Sequence, residues 1–326
     1  MKKGILFFTT LLLSMASFAQ ANKDAAMHSF VNKLLAKMTL EEKLGQLNLP
    51  ASSDFVTGAV SSSDIAQKVK EGKVGGVFNI RSVTKIKELQ EYAVKNTRLH
   101  IPLLFGMDVI HGYRTIFPIP IGMSSTWDMP LIERSARIAA NEASSDGIMW
   151  TFSPMVDLTR DPRWGRTSEG NGEDAFLSSA IAKAMIHGYQ GDDLSLNNTI
   201  MSCVKHYALY GAAEGGRDYN TTDMSRVRMY NEYFPPYKAA VDAGVGSVMV
   251  SFNEIDGVPA SGNKWLVDDV LRKQWKFNGY VTSDCWAVDD FYKYHKTHKD
   301  ATTSAVDAVI HGTDLECGVT VYKTLV

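Results

Sequence analysis

VTSDCWAVDD, running from Val281 to Asp290, starts as an apolar strand and ends as an acidic turn. Gly279-Tyr280-Val281 leads into Ser283-Asp284, and a tryptophan and two further acids follow. A strand that stops at a carboxylate projects it from its downstream end. That position gains meaning if other strands end the same way, because parallel strands in a barrel bring their downstream ends to one face.

Working outward, short apolar runs alternate with helical patterns. The runs are Val74 to Ile80, Pro102 to Val109, Ile148 to Asp157, Ile200 to Tyr207, Val245 to Asn253, Asn278 to Asp284 and Thr313 to Cys317. Helical spacing covers Val83 to Arg98, Leu131 to Ala143, Phe176 to Tyr189, Arg226 to Asp242, Leu266 to Trp275 and Thr303 to Ile310. A capping-box pattern, Thr39 to Glu42, opens an earlier helix. The strand runs are continuously apolar rather than alternating, as parallel strands covered on both faces are. Repeated β–α order in 326 residues predicts an α/β fold of the (β/α)8 TIM-barrel type, with a doubly wound open sheet as the rival. Asp108, His111, Asp157, Lys205, His206, Asn253, Asp284 and Asp314 all stand at downstream strand ends. The barrel predicts that they converge on one mouth.

Composition narrows the classes. A net charge of −2 with mixed signs lacks the basic patch that nucleic acid requires. Residues 1–21, two lysines followed by an apolar stretch and small residues at Ala19 and Ala21, have the layout of a secretory signal peptide. Export to the periplasm or medium is therefore expected, with no membrane span once the signal is removed. The three cysteines, Cys203, Cys285 and Cys317, form no zinc or disulfide framework. A Cys285–Cys317 bridge suits an oxidising compartment, but free buried thiols are the expectation.

Each strand-end residue has a chemical and a plain reading. Asp284 is a nucleophile or electrostatic partner, or else a helix N-cap. Asp289 and Asp290 are read as solvated acids of a first helical turn. Lys205-His206 supplies donors and a switchable imidazole for a polyhydroxylated ligand, or is a structural ion pair beside a core histidine. In GMDVIHG (Gly106 to Gly112), Asp108 either accepts from two sugar hydroxyls or caps a turn. RDPRWGRTSEGNGED (Arg160 to Asp174) is a surface salt-bridge loop or an arginine fork for hydroxyls.

GMDVIHG, RDPRWGR (Arg160 to Arg166), KHY (Lys205 to Tyr207) and Ser283-Asp284, in that order, resemble family 3 glycoside hydrolases, the β-glucosidase branch best. The resemblance runs from about Met38 to the end of the chain. It implies retaining, exo-acting hydrolysis of terminal β-D-glucosyl residues, with an oligosaccharide or an aryl or alkyl β-glucoside as substrate. Asp284 is then the nucleophile, and Asp108, Arg166, Lys205 and His206 grip the sugar. Trp286 lies near a tryptophan that many members place directly after the nucleophile, with Cys285 intervening. Phe252 stands where many have a tyrosine. No cofactor or metal is implied. Residues 22–326 read as the N-terminal barrel domain, cut short in its last helix, with the α/β sandwich domain that follows it in two-domain members absent. No position matches the family's general acid/base. Ser283-Asp284-Cys285 and HGTDLECG (His311 to Gly318) look more like β-xylosidases, whereas Asp108 favours glucosides. A β-xylosidase and a sugar-binding barrel lacking its proton donor are the alternatives. A phosphate-binding barrel is disfavoured, because His311-Gly312-Thr313 makes a poor phosphate loop.

Overall fold

A computed structural model describes residues 25–52, 65–318 and 321–325. The expected export signal, residues 1–21, lies outside them. The chain divides into two compact units, residues 1–43 and 44–326. In the first, residues 25–35 are helical. The expected capping box is present there: Glu42 N–H donates to Thr39 Oγ1 (3.2 Å) and Thr39 N–H to Glu42 Oε2 (2.9 Å).

The second unit is built on short parallel strands. They are β1 (Asn48–Leu49), β2 (Gly76–Phe78), β3 (Leu104–Met107), β4 (Trp150–Thr151), β5 (Met201–Tyr207), β6 (Ser247–Val250), β7 (Tyr280–Thr282) and β8 (Glu316–Cys317). Strands β2 to β7 form one six-stranded sheet in sequence order, every neighbour parallel. A doubly wound sheet reverses its strand order partway across; this one does not, so the rival topology is excluded. The sheet curls. β1 and β8 pair in parallel with each other, and parallel bridges Ala51↔Phe78 and Thr282↔Leu315 link that pair to β2 and β7.

Helices fill the connections: Val83–Asn96, Met129–Ser145, Ala175–Gln190 and Ala301–Ile310. The first three start on Ser82, Asp128 and Asp174, whose side chains accept from the third residue of the helix, satisfying an otherwise unpartnered backbone donor. The predicted single helix Arg226 to Asp242 is broken. It runs as a short turn Arg226–Arg228, a π-helical turn Met229–Tyr233, and a helix Pro235–Asp242. Pro235 and Pro236 cannot donate backwards, so regular i→i−4 bonding cannot pass through them. Strand β4 is likewise shorter than the apolar run Ile148 to Asp157: Pro154 brings no N–H to the ladder, and pairing with β5 resumes as an isolated bridge, Met155↔Lys205.

The core lies in two shells. Val204, Val248 and Val281 pack outward against helical residues such as Ile186, Tyr237 and Leu266. Inside the curl, Leu49, Trp150, Phe152, Cys203, Met249 and Cys317 form a separate buried cluster. Trp150 sits at its centre, fully buried, 4.5 Å from the Phe152 ring and 5.3 Å from Tyr280. Its Nε1–H donates to Ser247 Oγ at 2.7 Å. Gly106 in β3 is what admits these rings: a Cβ there would stand 3.0 Å from Phe152 and 3.1 Å from Trp150. This plug fills the floor under the strands' downstream ends.

Replacing Trp150 with alanine opens a cavity in that floor and removes the donor to Ser247 Oγ, whose own hydrogen still goes to Ser202 O. We expect a loss of about 3–5 kcal/mol in unfolding free energy, read as a lower denaturation midpoint; a change below about 1 kcal/mol would show that the inner cluster is loosely packed.

Candidate functional site

At the end of β7 the chain turns at Ser283-Asp284. Asp284 is buried, 8% exposed. Its Oδ1 accepts from the Cys285 backbone N–H at 2.7 Å. Oδ2 makes no hydrogen bond, although His206 Nε2 lies 3.3 Å away. The N-cap alternative fails, since the next helix, Asp290–Lys293, starts well beyond it. Asp284 thus keeps one oxygen with no donor committed to it among the described residues.

Strand β5 supplies Lys205 and His206, both buried. Lys205 Nζ donates to Asp108 Oδ1 at 2.6 Å, joining the ends of β3 and β5. Asp108 is exposed, its side chain 40% accessible, and among the described residues no bond supports the turn-capping alternative. His206 is clamped from behind. Its backbone N–H and its Nδ1 both meet Asp157 Oδ2, at 2.9 and 2.8 Å. Tyr237 Oη lies 2.9 Å from Asp157 Oδ1 and 2.6 Å from the His206 carbonyl oxygen.

Arg166 comes from the loop after β4. It holds Glu169 through two bonds, Nε to Oε1 (2.8 Å) and Nη2 to Oε2 (2.9 Å), and its guanidinium lies 5.4 Å from the Tyr210 ring centroid. The loop is anchored by Trp164, fully buried, whose Nε1–H donates to Asp218 at 2.9 Å. Phe252 packs at 4.6 Å from Tyr219 and 5.5 Å from Tyr210. Trp286 is half-buried with φ +68°, and its indole lies against Gly318, where a Cβ would come within 3.0 Å of Nε1.

The convergence is therefore selective. Lys205 contacts Asp108, and His206, the next residue, contacts both Asp157 and Asp284. Three predicted strand-end residues are spent elsewhere: His111 on the Phe117 carbonyl, Asn253 on Ala208 and Thr222, Asp314 on Arg272 and the Val281 N–H. Asp289 corrects an expectation. It is 6% exposed rather than solvated, paired with Lys293 and accepting from Tyr292 Oη at 2.9 Å. Asp290 is pushed up to about 6, by burial first.

The cysteines give a second correction. Cys285 and Cys317 are disulfide-bonded, Cα–Cα 4.4 Å, and Cys203 is free and buried. Pairing between β7 and β8 forces the approach: Trp286 N–H donates to Cys317 O, and Cys317 N–H to Ser283 Oγ. Thiols placed this close can be bridged without moving the backbone. The bond tethers the residue after Asp284 to the adjacent strand.

The site's electrostatics follow from burial. Burial pushes the Asp284 carboxyl up to about 7, against the pull of Arg166 and Lys205 and the Cys285 N–H, with Asp108 adding to the rise. Burial, then the charges of Arg166 and Lys205, hold the His206 imidazole well below its ordinary value, so it is neutral at pH 7. Burial opposes ionisation of Glu169 too, but Arg166 outweighs it and holds that carboxyl at about 2. Sequence reasoning missed the roles of Glu169, Tyr210 and Tyr237. Only Glu169, three residues after Arg166, carried a visible signal. In sum, a carboxylate with a free oxygen faces two cations and a neutral imidazole, beside a second, half-exposed carboxylate.

Known proteins resemble this chain over nearly all of the described length. The profile of the glycosyl hydrolase family 3 N-terminal domain matches residues 39–323. A periplasmic β-glucosidase of Salmonella typhimurium is 43% identical over 291 residues, covering 89% of this chain and 37% of that protein. A putative β-xylosidase of Formosa agariphila is 30% identical over 332 residues, covering 96% of this chain and 44% of that one. The crystal structure of a Listeria innocua β-glucosidase in complex with isofagomine superposes with a TM-score of 0.85 at 42% identity, covering 90% of this chain and 41% of its own. The chain thus spans about two fifths of the length of these relatives.

Titration of the Asp284 carboxyl by carbon-13 NMR is expected to show a midpoint near 7, the value burial imposes. In Lys205→Met that midpoint moves higher, since one lowering charge is lost and Asp108 is left unpaired. A midpoint that stays put or falls would show that Lys205 does not reach Asp284 electrostatically.

Proposed function

That the chain belongs to glycosyl hydrolase family 3 is the premise from which we propose its function: retaining, exo-acting hydrolysis of terminal β-D-glucosides, with Asp284 as nucleophile. The observation that carries the proposal is Asp284 itself. It is buried at a strand end, one oxygen is free of hydrogen bonds, and Lys205 and Arg166 act to keep it ionised.

In this reading Asp284 Oδ2 attacks the anomeric carbon as the glycosidic C–O bond breaks, forming a glycosyl ester. The departing oxygen takes a proton from a second carboxyl group. A water, deprotonated by that same group, then cleaves the ester with net retention. No residue of this chain is assigned as the proton donor. Lys205 is charged and engaged with Asp108, so it is cast as a ligand for hydroxyls. A sugar hydroxyl seated between them would accept from Nζ and donate to Oδ1. Arg166, held by Glu169, offers its remaining N–H groups, and His206 Nε2 stands beside Asp284 Oδ2. Phe252 and Trp286 are proposed as apolar walls for the ring.

The same reading takes the curled sheet as a closed eight-stranded (β/α)8 barrel, supported by the bridges from β1 and β8 to its two edges, and residues 22–326 as one barrel domain. A relative named as periplasmic supports export. Relatives named as β-xylosidases favour a second substrate, the xyloside. Against it, Asp108 is short, leaving space for the hydroxymethyl group that distinguishes glucose from xylose.

Assays with nitrophenyl β-glucoside and nitrophenyl β-xyloside separate these readings. The glucoside is expected to be turned over faster, and Asp284→Asn to lose on the order of 10⁴-fold in kcat. Unchanged turnover in that variant would remove Asp284 from the chemistry. The acid limb of kcat/KM should fall about tenfold per pH unit below about 7, because a nucleophile raised to that value is protonated there. A limb near pH 4 would show that the cations win over burial in the working enzyme.

A further inference from the structure

Behind His206, three groups share contacts that only one arrangement of protons satisfies. Tyr237 has a single hydroxyl hydrogen and two oxygens within reach, the His206 carbonyl at 2.6 Å and Asp157 Oδ1 at 2.9 Å. A carbonyl can only accept, so the tyrosine hydrogen goes to it. The remaining contact, Tyr237 Oη to Asp157 Oδ1, then needs a hydrogen from the aspartate side. On the other carboxyl oxygen, Oδ2, the His206 backbone N–H and the ring Nδ1 converge at 2.9 and 2.8 Å. An amide N–H can only donate. Oδ2 is therefore the accepting oxygen, and Nδ1, facing the same oxygen, carries a hydrogen of its own.

We propose that Asp157 is a neutral, buried carboxylic acid which, with Tyr237, locks His206 in the tautomer with hydrogen on Nδ1, leaving Nε2 as a bare hydrogen-bond acceptor beside Asp284. The chain of bonds then closes without an orphan: Asp157 Oδ1–H to Tyr237 Oη, Tyr237 O–H to His206 O, and His206 N–H and Nδ1–H to Asp157 Oδ2. Asp157 is 2% exposed and Tyr237 3%, so water cannot substitute in this circuit. Burial also drives the Asp157 carboxyl upward, to about 7, consistent with its holding a proton. The groups around the imidazole agree. Burial first, then Arg166 and Lys205, disfavour a second proton on the ring against the opposing pull of Glu169, and Tyr210 lies edge-on to it at 5.1 Å.

The consequence is at Nε2. It faces Asp284 Oδ2 at 3.3 Å with no hydrogen bond between them. When Asp284 is ionised, two acceptors stand side by side and demand a donor. On the glycosidase reading of the previous section, on which this consequence rests, that donor is a hydroxyl of the bound sugar. His206 is then a selector for a hydroxyl that donates, complementing Lys205 and Arg166, which select hydroxyls that accept. Asp157 and Tyr237 touch no ligand; they are positioning residues.

The test is nitrogen-15 NMR of the full chain with labelled histidine, together with two variants, Asp157→Asn and Asp157→Ala. In the wild type at neutral pH, His206 is expected with Nδ1 protonated and Nε2 bare. D157N replaces a neutral acid by a neutral amide of the same shape. It should keep that tautomer, and its affinity for glucose by calorimetry should remain within about threefold of wild type. D157A should release the ring into a mixture of tautomers and lose about tenfold or more in glucose affinity. A His206 protonated on Nε2 or on both nitrogens in the wild type would overturn the proposal, and so would a D157N variant that loses as much as D157A. The wild-type spectrum decides even where D157A does not fold. Wild-type protein with the expected tautomer but no affinity for glucose would overturn the glycosidase reading and leave the tautomer lock standing.

Discussion

The site rests on one constraint: a carboxyl group, Asp284, is taken out of water at the end of a strand and must be balanced there. Burial alone would keep it protonated. Lys205 and Arg166 pull in the opposite direction, and the result is a group poised near neutrality. A carboxylate fully solvated on a loop would be ionised at pH 7 but shielded by water. One buried without cations would be inert. The intermediate state leaves one oxygen with no hydrogen-bond donor committed to it among the described residues, which is what the proposed attack on an electrophile requires.

Holding that balance requires rigid neighbours, and the fold provides them from several directions. Parallel strands place Asp108, Lys205, His206 and Asp284 on the same side of a floor packed with Trp150, Phe152 and Met249. Arg166 is not on a strand, but its two bonds to Glu169 and the buried Trp164 of the same loop restrict it. The Cys285–Cys317 disulfide ties the turn after Asp284 to its neighbour. Asp157 and Tyr237 do the same for the imidazole, by hydrogen bonds rather than covalently. Each of these side chains is thus held by a second group: Lys205 by Asp108, Arg166 by Glu169 and His206 by Asp157.

The strand ends were legible because a parallel sheet writes them plainly: an apolar run halts at a polar residue, although His111, Asn253 and Asp314 halt runs in the same way and are bonded elsewhere. Asp108, Lys205, His206 and Asp284 were found that way, and the motif order around them identified the family. The length of the strands was not legible. Apolar residues continue past the regular ladder in Ile148 to Asp157, where Pro154 brings no N–H and pairing with β5 resumes only as an isolated bridge, Met155↔Lys205. The break in Arg226 to Asp242 was written in Pro235-Pro236, but helical spacing on both sides masked it. Contacts between distant segments left no local trace. Asp289 looks solvated in sequence but is buried and bonded to Tyr292 and Lys293. The cysteines are 32 residues apart, and only the β7–β8 register brings them together. Asp157 reads as one more strand-end acid, and its partnership with Tyr237, 80 residues on, becomes visible only when the helix starting at Pro235 packs against β5.

The most direct measurement is mass spectrometry of the full chain after incubation with dinitrophenyl 2-deoxy-2-fluoro-β-glucoside. The activated leaving group departs without a proton donor, while the fluorine slows hydrolysis of any ester formed. Attack by Asp284 predicts a single stable fluoroglucosyl adduct on the peptide that contains Ser283-Asp284-Cys285. An adduct on another carboxylate, or release of dinitrophenol with no covalent intermediate, would contradict it.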